Sequence, residues 1–165
     1  MISINKVENI EDIKVISAIG EKIWREYYTP IIGIEQVEYM LDKFQSVNAI
    51  TNQINNEGYE YYLLSYEEHN AGYIGIKVND VDLFLSKLYV DKEYRKKGIA
   101  NDTIEFLSAI CKEKGLNRIW LTVNKYNESS IAAYKKLGFE KVDEQVADIG
   151  SGYVMDDFIM EKNNF

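Results

Sequence analysis

Apolar residues recur in this chain at two different spacings, and the spacing changes at Gly58. The stretch Ser3 to Val7 alternates weakly around Ile2, Ile4 and Val7, as a first strand would. Asn9 and Asp12 have the spacing of a helix-capping pair, with Asp in place of the usual Glu. Ile13, Ile16, Ile19, Ile23 and Trp24 follow at helical intervals and predict a helix of about four turns. Pro30, the only proline, is expected to break it after Tyr27-Tyr28-Thr29. A second helix carries Val37, Met40, Leu41 and Phe44. Ser46 caps a short third one with Val47, Ile50 and Ile54 on one face. Gly58 closes that region.

Beyond Gly58 the period is two. Tyr59 to Tyr66 reads as a strand, Glu67 to Ala71 as a turn, and Gly72 to Val78 as its antiparallel partner. Asn79 to Asp82 turns the chain into a third strand, Leu83 to Val90. After a basic turn, Ile104, Leu107, Ile110 and Cys111 mark a helix from Ile99 to Lys114, stopped by Gly115. Arg118 to Val123 is a strand, and Asn127 to Leu137 a helix ended by Gly138. Glu140 to Ala147 and Tyr153 to Met160 form a hairpin around Gly150-Ser151-Gly152. No repeat, low-complexity run or linker interrupts the pattern. Residues 1–165 therefore read as one α/β (α+β) domain with a mixed sheet of about seven strands. Antiparallel strands come first, and a strand-helix-strand unit then needs a parallel crossover.

Charge and cysteine content narrow the function classes. The net charge of -8 disfavours nucleic acid and attracts small cations. The single cysteine, Cys111, falls in an apolar helical stripe, so neither an intrachain disulfide nor a thiolate metal cluster is expected. His69, the only histidine, gives a metal site little support. No apolar run reaches the ~18 residues of a membrane span, and the start shows no apolar signal core, so a cytoplasmic location is expected. Thirteen tyrosines suit either half-buried strands or pocket walls.

Two stretches could carry chemistry. In the first, Leu88-Tyr89-Val90 runs into Arg95-Lys96-Lys97-Gly98 and then into the helix that begins Ile99-Ala100. Gly98 removes a side chain where a ligand could approach the backbone, and the first helical amides have no intrahelical acceptor. With the helix dipole and adjacent cations they form a site for a diphosphate; a solvated basic turn is the plainer alternative. The turn is neither a P-loop nor a dinucleotide fingerprint. The second stretch is Asn127 to Phe139. Asn127 is a good N-cap, and Tyr134, seven residues on, lies near the same helix face. A left-handed Gly138 would fold Phe139 over the turn that holds Tyr134. A pure cap and a satisfied core ring remain open for these two residues.

Together the two stretches resemble the GNAT superfamily of N-acetyltransferases. Arg95-x-x-Gly98-x-Ala100 looks like its pyrophosphate motif, and Asn127…Tyr134…Gly138-Phe139 like its second motif. Trp24 to Phe44, and Asp148 to Lys162 with Gly152-Tyr153-Val154-Met155-Asp156-Asp157, are similar to PaiA-like polyamine acetyltransferases. The resemblance implies a sheet with a splayed central pair of strands and acetyl-CoA as donor. It implies main-chain contacts from Leu88, Tyr89 and Val90 to the pantetheine arm, and amides of Arg95, Lys96, Lys97, Gly98, Ile99 and Ala100 on the diphosphate. Asn127 would contact the pantetheine side, Lys136 would reach a phosphate, and Tyr134 would sit at the sulfur.

The chemistry accords with those roles. An amine attacks a thioester directly, and a primary amine of pKa about 10.4 needs about 4.6 kcal/mol to lose its proton at pH 7. A base or a water relay reduces that cost, and a phenol can protonate the departing thiolate, here Tyr134. An amide of Tyr89 or Val90 can donate to the carbonyl oxygen. Many members of the superfamily carry a Glu base in the strand before the turn. Leu83 to Val90 holds no carboxylate, so a water chain is expected instead. Lys87 lies near the splay without an assigned role. Trp24, Tyr27 and Tyr28 offer aromatic faces to an ammonium acceptor. Asp156 and Asp157 must point to opposite faces of their strand, so only one can serve the acceptor. The expected acceptor is a small amine, polyamine-like. A protein N-terminus or lysine, or an acyl-CoA-binding module without catalysis, are the alternatives. A monomer or a homodimer fits equally.

Overall fold

The computed structural model describes residues 1–165. The chain begins with strand β1 (Ile2–Lys6) and helix α1 (Ile10–Ile32), whose N-cap Asn9 accepts from the Asp12 amide at 2.9 Å. Pro30 does not break α1. Its ring faces solvent, and the helix continues past it to Gly33, whose amide reaches Thr29 O at 3.0 Å. α2 (Ile34–Met40) passes into a single π turn, Leu41–Gln45. Ser46 then caps α3 (Val47–Asn56) by accepting from Ala49 N at 3.1 Å.

Strands β2 (Tyr59–Tyr66) and β3 (His69–Val78) meet in a tighter turn than the expected Glu67 to Ala71. Glu67 and Glu68 both take positive φ, 48° and 68°, and this lets two residues make the reversal. His69 consequently lies in the strand. β4 (Leu83–Val90), a short 3₁₀ turn Lys92–Tyr94 and α4 (Ile99–Lys114) follow. β5 (Ile119–Asn124), α5 (Glu128–Lys136), β6 (Glu140–Gly150) and β7 (Tyr153–Lys162) complete the chain. The sheet order is β1-β2-β3-β4-β5-β7-β6. Every pair is antiparallel except β4 with β5.

Two features open this sheet at its centre. β4 and β5 pair only at Leu83–Ile119 and Phe84–Trp120, then part. Opposite Gly75 and Ile76 of β3, β4 carries Ser86 as an extra residue. A bulge of this kind bends a strand and reverses the alternation beyond it. Leu83 and Leu85 therefore face the main core with Ile104, Leu107 and Cys111 of α4, and Leu88 and Val90 pack on the same side. Lys87 and Tyr89, which unbroken alternation would also place there, face α1 and α3 instead. On that side Ile16, Ile50, Tyr61 and Tyr73 form one core, and Trp24, Val37, Met40 and Ile149 another. The sheet is thus covered on both faces, with a gap between its middle strands.

Candidate active site

The gap joins two clefts, one on each face of the sheet. The first, about 340 Å³, lies between the C-terminal half of β4 and helices α4 and α5. Leu88, Tyr89 and Val90 form one wall, and Asn127 and Tyr134 another. Arg95, Lys96, Gly98, Ile99 and Ala100 close one end. Gly98 has φ 83° with nothing within 4 Å of a Cβ placed there, so the backbone shape, not crowding, calls for glycine. No side chain caps α4. The first turn-to-helix amide bond closed inside the chain is Asp102 N to Gly98 O. The amides from Lys96 to Asn101 find no acceptor within the chain, which suits an anion.

The cations of the basic turn separate. Arg95 stacks its guanidinium on the Tyr27 ring, 4.2 Å from the centroid, with Nε 3.3 Å from Val90 O. Lys96 lines the cleft in a left-handed conformation, φ 62°. Lys97 instead lies over the Tyr66 ring at 5.3 Å, and Lys136 is exposed; neither lines the cleft. Tyr27 stands on the wall of this first cleft, not the second.

α5 is built as its sequence implies. Asn127 Oδ1 accepts from Ser130 N at 3.3 Å. At the other end Phe139 N reaches Tyr134 O at 3.0 Å and Gly138 N reaches Lys135 O at 3.1 Å, a Schellman arrangement. The Phe139 ring meets Tyr134 edge-on at 5.6 Å, fixing the phenol's position. Burial first, then the neighbouring phenols Tyr28 and Tyr27, push the Tyr134 hydroxyl well above its ordinary value, so it keeps its proton at neutral pH.

The second cleft, about 330 Å³, lies across the gap, under α1 and α2 and against the β6–β7 hairpin. Trp24 and Tyr28 contribute to it from α1, Lys87 and Tyr89 from β4, and Asp157 from β7. Its rim is tied down. Gln36 Nε2 donates to Val154 O at 2.9 Å, Tyr39 Oη to Ile149 O at 2.6 Å, and Lys43 to the same carbonyl. Asp157 is 2% exposed, and burial first, with Asp156 second, pushes its carboxyl up to about 6. Asp156 turns the other way, 2.9 Å from Lys125 Nζ. The choice between the two aspartates that alternation leaves open is thereby made.

Several residues of the clefts carry no signal in the sequence. Lys87 is 8% exposed; its Nζ donates to Phe44 O at 3.0 Å, to Gln53 Oε1 at 3.4 Å and to Tyr61 Oη. Desolvation lowers it to about 7, with Glu57 acting in the opposite direction. The bulge at Ser86 that turns it inward leaves no mark in the hydrophobic pattern. Asn124 and Gln145 flank Asp157 on either side in the sheet, a neighbourhood set by register alone.

A sheet parted between two parallel strands, with uncapped helix amides at the parting and a phenol across from them, is the architecture of an N-acetyltransferase. A model of the acetyltransferase (GNAT) family matches residues 19–139, and the chain belongs to that family. It is 27% identical over 158 residues to a spermidine N(1)-acetyltransferase of Thermoplasma acidophilum, covering 93% of this chain and 92% of that one. The structure of PaiA N-acetyltransferase from the same organism, in complex with coenzyme A, superposes with a TM-score of 0.81 at 25% identity, over 99% of each chain. An uncharacterised N-acetyltransferase of Lactobacillus delbrueckii is 22% identical over 160 residues, 92% of each chain.

Proposed function

We propose that this N-acetyltransferase moves the acetyl group of acetyl-CoA onto a primary amine of a small, cationic, polyamine-like molecule. The observation that carries the reading is the second cleft. It is roofed by the α2-to-hairpin hydrogen bonds, is sized for a small molecule, and holds a buried carboxylate and the Trp24 face. A protein N-terminus would need a groove open at its ends. The similarity to a spermidine acetyltransferase supports the same class of acceptor.

In this reading the first cleft takes the donor. Main-chain groups of Leu88, Tyr89 and Val90 pair with the pantetheine arm where β5 has left β4 unpartnered. The amides at Lys96 to Ala100, with Arg95 beside them, hold the diphosphate. Asn127 lines the pantetheine side. Tyr134, still protonated at neutral pH, gives its proton to the thiolate as the carbon–sulfur bond breaks. The amine arrives through the gap from the opposite face, so donor and acceptor meet at Tyr28 and Tyr89. Incubation with acetyl-CoA and a panel of diamines, polyamines, monoamines and peptides, read by thiol release, tests this. Release with small polyamines is expected; release with peptides alone would overturn it.

A further inference from the structure

We propose that Asp157 is the proton acceptor of the transfer, binding the acceptor ammonium in the second cleft and taking the proton that must leave before nitrogen attacks. This rests on the acetyl-transfer reading and deepens it, because β4 supplies no carboxylate for the task.

Asp157 is a buried carboxylate with no cation to balance it. Its neighbours in the sheet, Asn124 and Gln145, are neutral amides that line the same cleft. Lys125 is engaged with Asp156 and Glu144 on the other side of β7. From α1 it is faced by Tyr28, and from β4 the cleft receives Tyr89, both phenols held neutral by burial. Lys87, the one lysine lining the cleft, directs its hydrogen bonds to Phe44 O, Gln53 Oε1 and Tyr61 Oη. An ionised carboxylate in such a place is costly until something brings a positive charge, and an ammonium does so. The raised basicity of a carboxyl pushed up to about 6 narrows the mismatch with an amine while leaving it mostly ionised at pH 7.

The steps balance. Asp157 takes one proton from the ammonium, and the neutral nitrogen attacks the thioester carbonyl. The nitrogen then loses a second proton as the carbon–sulfur bond breaks. Tyr134 protonates the thiolate and recovers its proton from that released by nitrogen. Asp157 returns the first proton to solvent. One ammonium and one thioester become one amide, one thiol and one proton.

The test is Asp157→Asn, with Asp157→Glu beside it, using acetyl-CoA and spermidine. The expected result is a loss of at least about a hundredfold in kcat/KM for the amine. KM for acetyl-CoA is unchanged, the acid limb near pH 6 disappears from the residual rate, and the Glu variant recovers part of the activity. An Asn variant within threefold of wild type, or one that keeps the acid limb, overturns the assignment. A measurement on the unaltered protein stands apart from folding and turnover. Carbon-detected NMR should show the Asp157 carboxyl titrating near 6 and moving to lower pH when spermidine is added to the CoA complex; no movement overturns the proposal. If wild type releases no thiol with any amine tested, the acetyl-transfer reading fails, and the NMR titration still decides whether Asp157 is an ammonium site.

Discussion

The Tyr28 and Tyr89 hydroxyls stand 3.3 Å apart at the gap in the sheet, and both residues line both clefts. Trp24 packs edge-on against each ring, at 5.4 and 5.7 Å, so the pair is braced from α1. The Asp157 carboxylate helps to raise the Tyr28 hydroxyl, and Tyr28 in turn that of Tyr134, after burial in each case. The pair stands between the two clefts.

Removing the partition should let water through. Tyr28→Ala deletes a packed ring, at about 3 kcal/mol of stability, and is expected to raise thiol release from acetyl-CoA without any amine several-fold. Tyr28→Phe keeps the ring, loses roughly 1 kcal/mol with the hydroxyl, and should leave amine-independent release unchanged. Thiol assays with and without acceptor, beside urea unfolding, check both.

Tyr134 donates its proton in the proposed reaction, and its hydroxyl makes no contribution to the fold that Phe would lose. Tyr134→Phe should lower kcat by roughly a hundredfold or more while changing acetyl-CoA affinity less than about threefold. Because burial raises this phenol, no alkaline loss of rate below pH 10 should come from it. Steady-state kinetics and CoA calorimetry on the same variant would separate the two effects; an unchanged kcat removes Tyr134 as the acid.

Gly72 of β3 lies where a Cβ would come within 2.1 Å of Tyr89 O and 3.0 Å of Val90 Cα. Both atoms are backbone and cannot swing aside. Gly72→Ala should therefore push back the strand that lines the donor cleft, with an expected cost of about 2 kcal/mol. CoA binding should weaken with it, as measured by urea unfolding and calorimetry.

Lys87 should make stability depend on pH. Unfolded, it holds its proton up to the ordinary lysine value near 10.5; folded, desolvation lowers it to about 7. Between those values unfolding takes up a proton, so stability rises with pH through that window. Tyr61, Gln53 and the Phe44 carbonyl face the amine, with Glu57 the only charge acting on it. Lys87→Met should lose that rise. Urea unfolding of both proteins from pH 7 to 9.5 should show wild type gaining relative to the variant; parallel curves would remove the buried lysine as the cause.

Much of this fold could be read along the chain because its determinants are local. Periods of two and 3.6, the Ser46 and Asn127 caps, and Gly115 and Gly138 after their helices set elements that agree with the structure to within a few residues. Two local rules gave way. Pro30 is accommodated inside α1 with its ring toward solvent, and Glu67-Glu68 adopt left-handed backbone that composition does not announce. The wall of the first cleft was also legible, since Leu88 to Ala100 is one continuous strand, turn and helix set by its own neighbours.

The second cleft belongs to the tertiary structure. Asp157 and Asp156 are equivalent in sequence; pairing with Asn124 and Gln145 buries one, and Lys125 holds the other outside. Lys87 would face the main core but for one extra residue at Ser86, which reverses every side chain beyond it. Tyr27 and Tyr28 are adjacent in α1, yet the first meets Arg95 in the first cleft and the second stands between the two clefts. The sequence by itself determined the helices, the strands and the turn proposed to receive the donor, because each is stabilised by residues close along the chain. Which side chains meet across the gap depended on register, bulge and helix placement, contacts between residues far apart in sequence that only the assembled sheet brings together.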